Sequence, residues 1–479
     1  TYELESGNTQ TITNTLNAIG SCAGYVNIKS SSAGNQATIS KSSGSVNLQY
    51  CNLQDIDFTG GATYFANNSN DLGNNSGISI SAPSGGSRTL YWVGGSGDWN
   101  DLSHWSLSSG GSGGVCPPST SDDVIFNINS FSSNNQLVTI NIPEANCRSM
   151  TWTGVSSLTP KIGSSSNQNK LNIYGSLTLD SSVDWQTVST SGYKVYFLSS
   201  SNETITSAGN EFRGYIYFKG TGTYTLQDDL NGRTNYGIYF YHNSGTINTN
   251  NKDITINGSY DFYGGTNNTS RTLNLGSSTI SGNVFYIYGG GLTLNSGTSV
   301  LNCTGVSSGF NIYNYGNSLS FHTINFTASS GVSTLYGQGF NDISNLSFSS
   351  GGNISGQNTI GTLNLSSNAT YELESGNTQT INNNINFGGA CFQPVTIKSS
   401  STGSQATITK SSGVINGQNL NIKDINANGG ATFNAYGSTD LGNNNGWNFT
   451  STPFLGTIGS ITNNGNIFSD SGIRLGYFN

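Results

Sequence analysis

Along most of the chain, apolar and polar residues alternate over runs of four or five positions and then give way to clusters of Gly, Ser and Asn. A period of two sends every second side chain to one face of an extended strand, and the clusters mark turns, so the pattern predicts many short strands and no long helix. A four-residue signature, two inward-reading apolar positions and an aromatic, recurs at Leu171 to Tyr174, Tyr193 to Tyr196, Tyr215 to Phe218, Ile238 to Tyr241, Tyr260 to Tyr263 and Phe310 to Tyr313, with a looser copy at Val284 to Tyr288. Its starts lie 22 to 26 residues apart. Between them sit further apolar triplets such as Leu177 to Leu179, Ile254 to Ile256, Leu273 to Leu275 and Leu292 to Leu294. Short strands at this period, with no helical crossover, predict an all-β chain folded as a right-handed parallel β-helix, or β-solenoid, in tandem modules. From about residue 120 to 450 the period gives roughly 15 coils and, at ~4.8 Å per coil, a rod on the order of 70 Å long. A β-propeller is the runner-up, but its blades need about 40 residues and hairpin turns, and the observed period is too short.

A second repeat is longer. Thr1 to Ile12 recurs letter for letter at Thr370 to Ile381, and the correspondence continues without a gap: Lys41 with Lys410, Asp55 with Asp424, Gly60 and Gly61 with Gly429 and Gly430, Asp71 with Asp440. Residues 1–80 and 370–449 are therefore copies of one module. The chain reads as the closing coils of one unit (1–80), a linker (81–90), a Trp-rich N-terminal cap (91–126), a complete β-helix unit (127–450) and an unassigned segment (451–479). Because Thr1 opens within a repeat, a mature protein or an excerpt of a longer chain is expected.

Composition narrows the partners. Charged residues make up 8% of the chain, against about 25% in an ordinary soluble domain, so Ser, Thr, Asn and Gly must form the surface. Aromatics at 11% argue for a packed core and against disorder. A net charge of -8 without a basic run removes the electrostatic term on which nucleic-acid binding depends. No stretch approaches the roughly 18 consecutive apolar residues of a spanning helix, so direct membrane insertion is not expected.

At the head of the second unit stand Trp92, a Gly-Gly turn, Trp99 and Trp105, then Pro117 and Pro118, then Asp122 to Phe126 opening the first coil. The three tryptophans are expected to form a lid over the end of the stack. Further on, the module carries Cys22 or Cys391 ahead of a Val-x-Ile-Lys-Ser-Ser strand, a Gln-Ala-Thr-Ile-Ser/Thr-Lys run, and a closing Asp-Leu-Gly-Asn-Asn-x-Gly. Over nearly all of residues 1–450 this resembles the very large repetitive surface proteins and adhesins of Bacteroidota exported by type IX secretion, with autotransporter-like β-solenoid modules, some serving gliding motility or attachment. The resemblance implies a secreted, extracellular location on the cell surface, tandem copies of the same module forming a filament, and contact with surface glycans or with the secretion and attachment machinery. Cys116 and Cys147 flank the first coil, fit the same family pattern and are the best disulfide candidates. Cys51, replaced by Leu420 in the second copy, reads as a core position.

Candidate chemistry is sparse. The acidic pairs Asp122-Asp123 and Asp228-Asp229 are adjacent in sequence, would point to opposite faces of a strand, and suit turns or caps better than general acid–base work. His104 reads as packing within the tryptophan segment, and His242 and His322 as surface residues. No cofactor is expected. Ca²⁺ is the one ion for which a site is suggested, at Asp71 and Asn75 and at Asp440 and Asn444, whose i, i+4 spacing resembles the start of a Ca²⁺ loop but lacks its downstream Glu; an Asx turn is the favoured alternative. The outward position of the aromatic signature holds Tyr174, Tyr196, Phe218, Tyr241, Tyr263, Tyr288 and Tyr313, which would form a ladder along one face if the coils stay in register. Mutual stacking that fixes register is the favoured role, and weak multivalent contact with sugar rings the functional one. Function is read as a non-enzymatic structural or adhesive rod, and the alternative is a carbohydrate-active β-helix enzyme, a polysaccharide lyase or hydrolase.

Overall fold

Each strand is short because a polar turn cluster interrupts the alternation every few residues, and each pairs with the strand one period away. Within Gly214–Phe218, for example, burial alternates along the strand, with Ile216 and Phe218 inside. The same strand pairs in parallel with Lys194–Phe197 on one side and Ile238–His242 on the other. The computed structural model describes residues 1–22, 24–82, 87–185, 194–232, 238–256, 262–264, 269–390 and 392–451. Over these the chain is a parallel β-solenoid of about 17 turns, with 54% of residues in strands. Among the described residues the one helical element is a single 3₁₀ turn, Leu102–His104. The stacked parallel coils expected from the period are thus what the chain forms.

The core divides at the linker. Residues 4–80 pack around one cluster that includes Leu48, Cys51, Leu53 and Ile56. A second cluster runs without interruption from Leu90 to Trp447. Cys51 is completely buried, as its exchange with Leu420 implied. In the first copy the strands form sheets of four, three and three members, so three faces surround the core.

The two copies agree strand for strand. Val26–Ser30 corresponds to Val395–Ser399, Ala37–Ser40 to Ala406–Thr409 and Ser45–Gln49 to Val414–Gln418. Their corners share left-handed backbone at Asp55 and Asp424 (φ 56° and 59°) and at Asn74 and Asn443 (φ 54° and 55°). Asp and Asn tolerate this region because their short side chains bond locally. Gly77 and Gly446 are required on two counts: φ is 74° at both, and a Cβ there would lie 1.8 Å from the carbonyl oxygen of Phe58 or Ala427.

At the head of the second unit the three tryptophans are completely buried and belong to the main cluster. Trp92 and Trp99 both meet Trp105 edge-on, with centroids 5.1 and 5.0 Å apart. Two of the three indole N–H groups find local acceptors, Trp92 donating to Gly95 O at 2.7 Å and Trp105 to Trp99 O at 2.8 Å, while that of Trp99 is buried without one. His104 stacks flat on Trp92 at 4.6 Å, the packing role anticipated for it.

The disulfide expectation is corrected. Cys116 bonds Cys22, 94 residues away, and not Cys147. Cys147 ends the strand Glu144–Cys147 with its side chain inward, in register with Ile173 of the next coil, and it is a free, completely buried thiol whose pKa is raised by burial. Cys116 lies instead on the irregular segment between cap and first coil, where Tyr50 Oη approaches its sulfur at 3.6 Å. The bond therefore ties the first unit to the head of the second.

Candidate functional site

The aromatic signature produces stacking, but not in a single column. Backbone register places Asn172, Tyr196, Tyr217, Tyr241, Tyr263 and Tyr286 on one row. Tyr196 and Tyr217 stack at 4.5 Å and 8°, and Tyr217 and Tyr241 at 4.6 Å and 11°. A parallel pair, Tyr215 and Tyr239, stacks beside them at 4.3 Å. Lys219 Nζ lies 4.9 Å from the Tyr196 ring centre and 5.3 Å from that of Tyr217, a cation–π contact that covers this part of the row. The side chain of Tyr263 lies outside the described residues.

Four residues depart from the expected ladder. Phe218 is buried, 2% exposed, because Tyr217 and not Phe218 is in register with Tyr196. The signature at Tyr215 to Phe218 was framed one residue late, and with a side-chain period of two such a slip exchanges inside for outside. Tyr174 is half-buried but lies two positions beyond Asn172, off the row. Tyr288 and Tyr313, stacked on each other at 4.9 Å, form a second column two residues along from Tyr286, which itself faces Asn311.

Stacking has a chemical consequence. Rings spaced 4.3 to 4.6 Å apart cover one another's faces, so the row offers solvent ring edges and hydroxyls, not the flat faces a sugar would stack upon. Burial raises the pKa of Tyr196 above its ordinary value, against the smaller opposing effect of Lys170, and it raises that of Tyr217 further.

The regular face ends where the second column does. Tyr315, 59% exposed, adopts φ 47°, a conformation costly for a bulky residue, and it is followed by Gly316 at φ 88°. Its ring lies 6.2 Å from Tyr288, inclined by 18°. In the next coil the ladder register shifts between Tyr336 and Phe340, and Gly339 takes φ 82°. Between these two irregular turns opens a cleft of about 300 Å³ lined by Asn314, Tyr315, Gly316, Asn317, Ser318, Gln338 and Gly339.

The cleft is held from behind. Asn314 donates to Asn341, Asn341 to Asn358 and Asn358 to Gln379, at 3.0, 3.3 and 2.9 Å, a buried amide ladder crossing four coils. Asn317 Nδ2 donates to Gly289 O at 2.7 Å. Under that turn lies Arg271, 2% exposed, whose guanidinium donates to the carbonyls of Tyr288 and Gly290. Nothing in the apolar–polar pattern flagged this arginine; the signal was an inward-reading Arg in the run Arg271–Asn274, in register with Leu292. His242, expected at the surface, is 1% exposed: it occupies the inward position of Phe218 in the next coil, and Nε2 lies 3.1 Å from Gly245 O. Burial lowers its pKa to about 4.

The other candidates are structural in geometry. Asp71 Oδ1 accepts from Gly73 N at 2.9 Å and from Asn75 Nδ2 at 2.6 Å; Asn75 also donates to Leu53 O and accepts from Ile56 N. Asp440 and Asn444 repeat every one of these bonds. Each pair is an Asx turn pinned to the preceding coil, with the amide nitrogen, not its oxygen, turned toward the carboxylate. Asp122 is completely buried; burial alone would raise its pKa, but the Arg88 guanidinium and Ser119 donors outweigh that and hold it at about 2. Asp123 pairs with Arg148, Asp228 accepts from Ser207 N, and Asp229 accepts from Asp253 N. Among the described residues no group of three or more His, Cys, Asp or Glu is placed to hold a metal.

Comparisons with protein-family models, with curated proteins and with solved structures returned no match.

Proposed function

We propose that this chain is a segment of an extracellular structural or adhesive rod, built of tandem solenoid units and serving to project or attach a cell surface. The observation that carries the reading is the Cys22–Cys116 bond between consecutive units. A covalent tie from unit to unit suits a part under tension in an oxidising compartment, where such bonds persist. The duplicated module points the same way, since each added unit lengthens a rod without needing a site of its own. The acidic pairs Asp122-Asp123 and Asp228-Asp229 are taken up by guanidinium or backbone donors, an arrangement that suits turns better than proton transfer. Export by type IX secretion, a place at the cell surface of a Bacteroidota-like organism and a part in attachment or gliding belong to the same proposal.

The test is retention against cleavage. Beads carrying the full chain, tethered through one terminus, should stay on polysaccharide-coated surfaces under flow, and reduction of the disulfide should shorten the lifetime of attachment under load. Release of new reducing ends from the coating, lost on substitution of one carboxylate, would replace the rod with an enzyme.

A further inference from the structure

We propose that the cleft between the Asn314–Ser318 turn and Gln338–Gly339 binds one pyranose ring of a neutral saccharide, with Tyr315 as its platform. The proposal rests on the adhesive reading for the source of the ligand, a surface glycan, and on geometry for the site itself.

Tyr315 differs from the stacked row in a way that matters for sugars. In the row, each described ring has a neighbour about 4.5 Å from its face. Tyr315 has Tyr288 on the side of the preceding coil, while on the side of the following coil it meets Gln338 and Gly339 across the cleft. An added Cβ at residue 339 would lie 3.0 Å from Asn314 Nδ2, and φ is 82°, so a larger residue is disfavoured at that wall on both counts. The C–H face of a pyranose is apolar and its rim is hydroxylated, so it asks for one aromatic face and a ring of groups that both donate and accept. The walls supply Asn317, Gln338 and Ser318, whose amides and hydroxyl do both. No Lys or Arg lines the cleft, which disfavours uronic acids, sulfated sugars and phosphates. The volume stands at the lower end of small-molecule sites, about 300 to 1,000 Å³.

The site is also pre-formed. The amide ladder from Asn314 to Gln379 and the guanidinium of Arg271 fix the turns on which it stands, so little ordering opposes binding. A left-handed tyrosine is held in place although a glycine would relieve the backbone, and strain retained at an exposed position is a mark of use.

The experiment is saturation-transfer NMR on the full chain, with cellohexaose and chitohexaose as neutral probes and hexagalacturonate as the anionic control. Saturation should pass to a neutral probe and not to the control, and Tyr315→Gly should weaken that binding at least tenfold while melting at the same or a higher temperature. Gln338→Ala, an exposed change at the position in register with Tyr313, should weaken it severalfold with the fold untouched. Tyr217→Ser should leave it as it was. Absence of transfer to both neutral hexasaccharides, or equal transfer in Tyr315→Gly, overturns the proposal, as does loss in Tyr217→Ser with retention in Tyr315→Gly. Surface retention of beads that persists when the cleft fails overturns the cleft alone and leaves the rod standing.

Discussion

Thr1 to Ile12 and Thr370 to Ile381 are the same twelve residues, yet Tyr2 is 65% exposed and Tyr371 is completely buried. The strand Ala369–Leu373 lies between Gly351–Leu365 and Val395–Ser399, whereas Tyr2–Leu4 has a described partner, Val26–Ser30, on one side. Sequence sets which side chains face inward, and the neighbouring coil decides whether facing inward means burial. A solenoid coil is half of two interfaces, and its stability belongs largely to those interfaces. The copies differ again at the preceding turn. There the first carries Cys22 beside an edge-on Tyr25 and Tyr50 pair, while the second puts Pro394 and Asn419 in the tyrosine places and leaves Phe392 fully exposed. Cys391 itself lies outside the described residues. Among the described residues the module thus appears in two settings: tied through its cysteine to the next unit, or following directly on described coils before it.

Breaking the clasp should separate the settings most. The disulfide closes a loop of 94 residues, for which chain entropy alone suggests a contribution of about 4 to 5 kcal/mol. Cys22→Ser with Cys116→Ser should lower the melting of residues 1–80 and raise amide exchange there, with residues 370–450 unchanged. Unchanged exchange in residues 1–80 after the substitution would mean that the clasp adds nothing to the first unit's stability.

Acid should act on the other setting. His242 is buried neutral, with a folded pKa of about 4 against 6.5 unfolded. As pH falls below 6.5 the unfolded chain takes up a proton that the folded chain refuses, so stability falls until pH reaches about 4 and is level below it. The shift corresponds to about 3 kcal/mol. Residues 1–80 contain no histidine, so this part of the acid response should be confined to the long stack and vanish in His242→Phe, which continues the apolar row of Ile173, Phe197 and Phe218. A wild-type and variant pair with parallel pH profiles between 6.5 and 4 would show that His242 is protonated in the folded state.

These features were unequally legible. Period and alternation gave the parallel coils and the two copies, because such properties are repeated many times and one irregular residue does not alter them. Phe218 was misplaced because a four-letter signature carries no register; the pairing of Tyr196 with Tyr217 is fixed by the neighbouring coil. Flanking the first coil and fitting the family pattern made Cys116 and Cys147 the expected pair, but Cys147 is an inward strand position and Cys22 comes from another unit, a contact that no period encodes. His242 and Arg271 are polar residues at apolar positions, and their carbonyl partners lie on turns whose placement follows only from the assembled stack. The cleft at Tyr315 was hidden for the opposite reason: it exists where the repeat breaks.

The smallest expected effect is the sharpest check on the likeness of the copies. Asn75 and Asn444 make the same three contacts, to Leu53, Ile56 and Asp71 and to Ile422, Ile425 and Asp440. Replacement by Ala leaves a backbone N–H and a carbonyl without their partners, at a cost of about 1 to 3 kcal/mol. Because both bonds are local to a turn and the coil before it, Asn75→Ala and Asn444→Ala should destabilise their own modules by amounts equal to within about 0.5 kcal/mol, although one module is clasped and the other stacked. Calorimetry of the two variants, with and without Ca²⁺, separates the readings. If millimolar Ca²⁺ raises the melting temperature of the wild type and Asp71→Asn abolishes the rise, the turn holds an ion. If Ca²⁺ changes nothing and the two alanine variants lose alike, Asp71 and Asp440 serve to pin one coil to the next in both copies.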